Sequence, residues 1–236
     1  CSYFGNNSCR ISDFIFYIQI KKDKGEKMNT IIKTFILLLV AVSMSFAQGF
    51  KVKATGEQTF NFEDKRNQVK FFSTTPLEDI TGISNDVKGK VTLNVADIKS
   101  MKGSITISVA SIKTAIDLRD EHLRSENWMD AENYPEISFV IKSIGDVKIA
   151  ADNKLEAKVT GDFTAHGITK EVVADVSITY LDASEKTKQY APGDLLGVQA
   201  KFNIALSDFE VENMVVGQKV SENIEITATL RGSNAK

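Results

Sequence analysis

Charged side chains and one histidine are concentrated between Arg119 and Phe139, in the stretch RDEHLRSENWMDAENYPEISF. Asp120, Glu121 and His122 are residue types that bind metal ions or transfer protons. Neighbouring positions of a helix point in different directions, however, so three consecutive residues do not converge on one ion. The chain has two histidines, and its two cysteines lie within the first nine residues. We therefore expect no metal site, and a hydrogen-bonded structural role for His122.

The second histidine lies in the stretch GDFTAHGITKEVVADV, which runs from Gly161 to Val176. His166 and Lys170 flank a predicted turn at Gly167, where together they can bind a polar head group. The alternative is structural, because threonine and histidine side chains often hydrogen-bond the backbone of a turn. The residue pattern favours the structural alternative.

Catalytic motifs are scarce in this sequence. It contains no G-x-S-x-G nucleophile elbow and no glycine-rich phosphate or dinucleotide fingerprint. A pair of carboxylates for glycoside chemistry stays open, because acidic residues are plentiful and their positions in space do not follow from the sequence. We expect a protein that is not an enzyme and carries no cofactor.

The segment MNTIIKTFILLLVAVSMSFAQ, which begins at Met28, has the three parts of a secretory signal peptide. Lys33 supplies the positive start, residues 35–42 the apolar core, and residues 45–47 the small-x-small exit. The apolar run is too short for a membrane span of roughly 20 residues. We predict a signal peptide over 28–47 with cleavage near Ala47, and a mistranslated leader over 1–27. The product is expected to be periplasmic or secreted.

The first 47 residues hold six of the 29 Lys and Arg and three of the 31 Asp and Glu, so the remaining chain carries a formal charge of −5. A mildly acidic, mixed surface argues against nucleic acid or an anionic membrane as the main partner. Both cysteines, Cys1 and Cys9, fall in the removed part. Residues 48–236 are therefore expected to form one domain without disulfides.

Apolar and polar residues alternate with a period of two through most of this domain, which is typical of strands with one apolar face. Short turns separate the strands, and this spacing favours antiparallel pairing. The long strands favour a barrel of about eight strands over a sandwich. The apolar series are Val91–Val95, Ile105–Val109, Ile137–Ile141, Leu155–Val159, Val172–Tyr180, Leu196–Leu206 and Ile224–Leu230.

One segment reads as helical, and it is the charged stretch described first. Asp117 is placed to cap its first turn, and Asp120 and Arg124 have the i, i+4 spacing of a surface ion pair. Pro135 forces an extended conformation on the preceding residue and ends the segment. We predict a short helical crossover that borders the barrel through Leu123, Trp128 and Met129.

Two groups of residues in the sequence resemble the YceI-like family. The resemblance extends from about Gly103 to Val176. The first group is Ser111, Ile112, Thr114, Arg119, Asp120, His122, Leu123, Ser125, Trp128, Asp130, Tyr134, Pro135, Ile137 and Phe139; the second is Gly161–Thr164 with His166–Lys170.

The resemblance implies a lipocalin-like antiparallel β-barrel that is exported and holds a polyisoprenoid or a similar long apolar chain. The expected partner is an isoprenoid, a quinone or a fatty amphiphile. Head-group contacts are expected from Arg119, Asp120, His122 and His166, although a polar network that pins the crossover is an equal alternative for the crossover residues. The expected cavity residues are Phe60, Phe62, Phe71, Leu123, Trp128, Phe139, Phe163 and Phe202.

Other functions remain in competition with a non-catalytic carrier. An enzyme acting on such a lipid through His122 or His166 is the main alternative. A membrane-spanning outer-membrane barrel is less expected, because such barrels usually finish on an aromatic strand residue and this sequence finishes on the polar run RGSNAK. Edge strands leave a homodimer possible.

Overall fold

The computed structural model describes residues 48–235, and within this range most of the regular secondary structure is β-strand. The leader and the signal peptide that the sequence predicts for 1–27 and 28–47 lie outside the described residues. Two short α-helices are present among the described residues, α1 at Asp117–Arg124 and α2 at Glu185–Lys188. The ten strands are β1 Glu57–Asn61, β2 Gln68–Thr74, β3 Asp79–Ser84, β4 Val87–Asn94, β5 Asp97–Ser108, β6 Glu136–Ala151, β7 Lys154–Ala165, β8 Ile168–Leu181, β9 Leu195–Ala205 and β10 Asn223–Ser233.

All strand pairs are antiparallel, and the sheet closes on itself. From β4 to β10 each strand pairs with the next one along the chain, by way of β5, β6, β7, β8 and β9. Closure comes from β1, which pairs with β4 on one side and with β10 through Asn61 and Ser233 on the other. A closed barrel leaves no long sheet edge unpaired.

Ten strands fill eight positions around this barrel, because two positions each contain two strands placed end to end. β1 and β2 both pair along β10, at Ser233 and at Glu225–Thr229 respectively. β4 and β3 run beside them in the opposite direction. The prediction of an antiparallel barrel of about eight strands is confirmed.

The gap between β1 and β2 is filled by side chains of their connection. The side-chain oxygen of Asn67 accepts a hydrogen bond of 2.7 Å from the backbone N–H of Arg231, and so replaces a missing ladder bond of β10. The carboxylate of Asp64 accepts hydrogen bonds from both Arg66 and Arg231. This polar cluster holds the interrupted strand position closed.

The two ends of the barrel are built differently. At the end where β1 begins and β8 finishes, Phe60 and Tyr180 are fully buried and their rings meet edge to face at 5.6 Å. Phe50 packs on the same tyrosine, and Leu196 is also fully buried. We call this the closed end. The opposite end, which we call the open end, carries the β2–β3 turn, the β5–β6 crossover, the β7–β8 turn and the β9–β10 connection.

The helical part of the crossover between β5 and β6 is shorter and less regular than the sequence predicts. Its helix α1 covers eight residues, followed by turns as far as Asn133. Asp117 is the first helical residue, and the cap position belongs to Ile116, which makes no side-chain cap bond, so the predicted Asp117 cap is wrong. The predicted surface pair of Asp120 with Arg124 is also wrong, because Asp120 turns inward and is buried.

Candidate functional site

The barrel interior contains two adjoining cavities of about 110 Å³ each. The first lies at mid-barrel between Val91, Val159, Val198 and Leu230, and its walls are apolar apart from Ser138. The second lies nearer the open end, beneath Leu123, Trp128 and Met129 of the crossover. The four residues that line both cavities are Val69, Ile137, Phe163 and Ile226.

Phe163 is the largest of these shared residues, and it belongs to an aromatic cluster. Its ring meets that of Phe202 at 5.3 Å and that of Phe209 at 5.5 Å, both in edge-to-face geometry. Phe139 packs on Phe202 at 5.9 Å. Phe163 therefore stands between the two cavities and lines both of them.

The first cavity exists because small residues face the interior at one level of the wall. Ala200 and Ala228 are direct partners in the β9–β10 ladder, and both line the cavity together with Ala174. Methyl side chains on neighbouring strands leave space that larger apolar residues would fill. The predicted cavity residues were all aromatic, apart from Leu123, and did not include these alanines. In the sequence, the cavity is indicated by an alanine at an apolar position of three alternating series, Val172–Tyr180, Leu196–Leu206 and Ile224–Leu230.

The structure brings seven of the eight predicted cavity residues to the cavities. Phe62, Phe139, Phe163 and Phe202 line the first one, and Phe71, Leu123 and Trp128 line the second one with Phe163. Phe60 lines neither cavity, since it packs against Tyr180 and close to Gly232 at the closed end.

Arg119 and Asp120, two of the predicted head-group residues, form a network that attaches the crossover to the barrel. The carboxylate of Asp120 accepts hydrogen bonds of 2.7 Å from both the backbone N–H and the hydroxyl group of Thr114. The guanidinium of Arg119 donates to the hydroxyl and carbonyl oxygens of Thr114 and to the carboxylate of Glu78. These contacts are internal to the protein.

The pKa of Asp120 reflects these contacts. Burial opposes ionisation of its carboxylate and so raises the pKa, but the two hydrogen bonds from Thr114 and the ammonium group of Lys113, 3.5 Å away, lower the pKa below its ordinary value overall. Asp120 is therefore ionised over the physiological pH range, and it is nearly inaccessible to solvent.

The two histidines lie in different environments. His122 is exposed on α1. His166 occupies the β7–β8 turn, where His166 and Gly167 both have positive φ angles, as a two-residue type I′ hairpin requires. Its Nδ1 lies 2.9 Å from the carbonyl oxygen of Phe209, and its ring meets Tyr134 edge to face. Neither histidine lines a cavity.

Among residues 48–235, no group of three or more His, Cys, Asp or Glu is arranged to hold a metal ion. Neither helix described for the chain has the length or the apolar character needed to cross a membrane.

A family model for the YceI-like domain matches residues 52–231, which include nearly the whole barrel. The chain belongs to the YceI-like family. A UPF0312 protein of Pseudomonas fluorescens is 32% identical over 157 residues, which are 66% of this chain and 76% of that protein. A UPF0312 protein of Pseudomonas putida strain GB-1 is 28% identical over 121 residues, or 50% of this chain and 55% of that protein.

Solved structures with the same fold include two that superpose on most of the YceI-like barrel. BcnA of Burkholderia cenocepacia has a TM-score of 0.57 at 22% identity, and the match covers 71% of this chain and 98% of BcnA. A polyisoprenoid binding domain from Saccharophagus degradans has a TM-score of 0.58 at 13% identity, with 75% of this chain and 99% of that domain covered. At these identities the likeness concerns the fold alone.

Proposed function

We propose that this YceI-like protein is a non-catalytic carrier that holds the hydrocarbon chain of an isoprenoid, a quinone or a related amphiphilic lipid inside its barrel. The observation that carries the proposal is the pair of adjoining apolar cavities, which begin under the crossover and stop at a densely packed closed end. The Saccharophagus degradans neighbour, a polyisoprenoid binding domain, supports an isoprenoid as the ligand class.

Most of the energy of such binding comes from burial of the hydrocarbon chain. Each methylene moved from water into an apolar site contributes about 0.8 kcal/mol, so a dozen methylenes contribute roughly 10 kcal/mol before the costs of association. Even together, the two cavities are smaller than the roughly 300 Å³ at the low end of small-molecule sites. A long chain therefore requires lining side chains to move, and we expect Phe163 to be one of them because it lines both cavities.

The proposal also includes that the protein catalyses no reaction and that it acts after export from the cytoplasm. The histidines that an enzyme would use lie outside both cavities, where His122 is exposed and His166 is bonded to the backbone at Phe209. The segment from Met28 to Ala47 has the composition of a signal peptide. A carrier in the periplasm or outside the cell fits both features.

A cavity-filling variant tests the proposal. Replacing both Ala200 and Ala228 with leucine places two larger apolar side chains in the first cavity, and we expect the variant to fold but to lose binding of geranylgeraniol, a C20 isoprenoid alcohol. Trp128, the one tryptophan of the chain, lines the second cavity, so its fluorescence reports binding directly. Titration of lipid-extracted protein gives the affinity.

The matched control is Ala151→Leu, which adds the same side chain at an exposed position of β6. We expect this control to bind geranylgeraniol like the wild type. Circular dichroism and urea unfolding establish that each variant is folded. Undiminished binding by a folded Ala200→Leu/Ala228→Leu variant would refute the proposal, and so would the absence of saturable binding by the wild type.

A further inference from the structure

The head group of an amphiphile held in this barrel lies at the open end. The closed end is filled by buried side chains such as Phe60, Tyr180 and Leu196. The first cavity has Ser138 as its one polar lining residue, whereas the second cavity, nearer the open end, is also lined by Lys70 and Ser84. The second cavity reaches the crossover, where Leu123 and Trp128 are only partly buried. The residues around this end therefore form the environment of the head group.

The open end is strongly acidic. The crossover, residues 109–135, contains six acidic and three basic residues; the β9–β10 connection, residues 206–222, contains four acidic and one basic; and the β2–β3 turn adds Glu78, for a formal net charge of −7. At the closed end, the residues before β1 and those joining β4 to β5, β6 to β7 and β8 to β9 sum to zero. The excess negative charge of the connecting segments lies at one end of the barrel. A requirement for solubility would not place it at one end, so it needs another explanation.

Few of the acidic side chains at the open end are neutralised locally. The ion pairs at this end join Arg119 to Glu78 and Lys113 to Asp120, and they use two of the four basic residues. Exposed carboxylates remain on the crossover and on the β9–β10 connection, at Asp117, Glu121, Glu126, Glu132, Asp208, Glu210 and Glu212.

We infer that the open end selects amphiphiles whose head group is uncharged or cationic, and discriminates against carboxylates and phosphates. This inference rests on the proposed function. The hydrocarbon chain is still bound by the apolar cavities, and the acidic residues surround the entrance where the head group lies. A carboxylate about 10 Å from a unit charge in water changes binding about twofold at low ionic strength. Several carboxylates around one head group therefore give a discrimination of about tenfold.

Three probes with the same C16 chain test the inference: hexadecanol, hexadecyltrimethylammonium and hexadecanoate, each below its micelle concentration. In 10 mM salt we expect hexadecanoate to bind about tenfold more weakly than hexadecanol, and hexadecyltrimethylammonium to bind about tenfold more tightly than hexadecanol, as reported by Trp128 fluorescence. In 500 mM salt the difference is expected to shrink, because screening weakens the electrostatic contribution and leaves chain burial unchanged.

Two sets of substitutions locate the effect. Changing Glu126, Glu132, Glu210 and Glu212 to glutamine removes four exposed carboxylates at the open end, and we expect hexadecanoate to approach hexadecanol in affinity. Changing Glu57, Asp152, Glu156 and Glu185 to the corresponding amides removes the same charge at or near the closed end. This control is expected to leave the discrimination unchanged.

The outcomes separate this inference from the proposed function. Equal affinity for all three probes, or tighter binding of hexadecanoate, overturns the inference and leaves the carrier proposal intact. Failure of all three probes to bind overturns both. Binding of hexadecyltrimethylammonium that persists in the Ala200→Leu/Ala228→Leu variant also overturns the inference, because the cation would then bind the rim outside the cavity.

Discussion

Individual small residues determine whether this barrel is filled or hollow. Ala174, Ala200 and Ala228 occupy inward positions that larger apolar residues would fill, and Gly161 leaves the space that the ring of Phe139 occupies. The barrel is hollow near these residues, whereas Phe60 and Tyr180 fill it at the closed end. The free volume of the interior is therefore determined by the sizes of a few side chains.

Asp64 provides a prediction at this scale for the dependence of stability on pH. The pKa of Asp64 falls from 3.8 to about 2, chiefly because the side chain of Arg66 donates hydrogen bonds to its carboxylate. Burial of the carboxylate raises the pKa, whereas a backbone hydrogen bond from Arg66 and the positive charge of Arg231 lower it further. Its ionised form stabilises the fold above pH 3.8, and this contribution is lost as the pH falls towards 2.

We expect Asp64→Asn to lower the free energy of unfolding by about 1–2 kcal/mol at pH 6, a value reduced from the full shift because Arg66 is largely exposed. The difference from the wild type should shrink as the pH falls below 3.8 and vanish only below pH 2, where the carboxylate of the folded protein is protonated. Urea unfolding at pH 6, 4 and 2.5 measures it. A difference that stays constant over this range would contradict the role of the carboxylate.

At the scale of elements, the crossover is a fixed cover that is attached to the barrel by hydrogen bonds. Its two ends meet where the N–H of Val109 donates a hydrogen bond to the carbonyl oxygen of Pro135. The crossover is also joined to β3, because the backbones of Lys113 and of Ile83 in β3 form two hydrogen bonds with each other. The buried carboxylate of Asp120 then joins α1 to Thr114. A ligand can pass this cover only where the surrounding side chains move.

Asp120→Ala is expected to loosen this element. The substitution leaves the N–H and hydroxyl group of Thr114 without their acceptor in a buried place, at a cost of about 2–4 kcal/mol in the free energy of unfolding. Hydrogen exchange of the amides in residues 109–135 should accelerate more than exchange in the strands. Glu121→Ala, at an exposed position of the same helix, is the control and should stay within about 0.5 kcal/mol of the wild type. Equal effects of the two substitutions would contradict the pinning role.

Elements were predictable from the sequence where a single physical rule governs them. The alternation of Val172–Tyr180 and Ile137–Ile141 places strands in β8 and β6 because side chains of any strand point alternately to its two faces. β3 escaped prediction because Gly82 and Ser84 occupy its inward positions, so its apolar alternation is broken. The inward turn of Asp120 depends on Thr114, a partner six residues away that helix periodicity does not reveal.

At the scale of the whole molecule, the two ends of the barrel differ in charge, and the linear sequence does not display this difference. The acidic residues of the open end come from three separate segments that extend from Glu78 to Glu222, and only the strand order brings them together. The same charge opposes a homodimer in which two open ends face each other. Barrel closure through Asn61 and Ser233 likewise depends on long-range pairing that no local pattern indicates.

The central claim is that the apolar interior of this YceI-like barrel holds one hydrocarbon chain. The most direct measurement is solvent extraction of the protein purified without detergent, followed by mass spectrometry of the extract. We predict a long-chain isoprenoid, quinone or related amphiphile in near-stoichiometric amount, strongly reduced in the Ala200→Leu/Ala228→Leu variant prepared in the same way. An extract with no such chain, or one equally rich from the cavity-filled variant, would contradict the account.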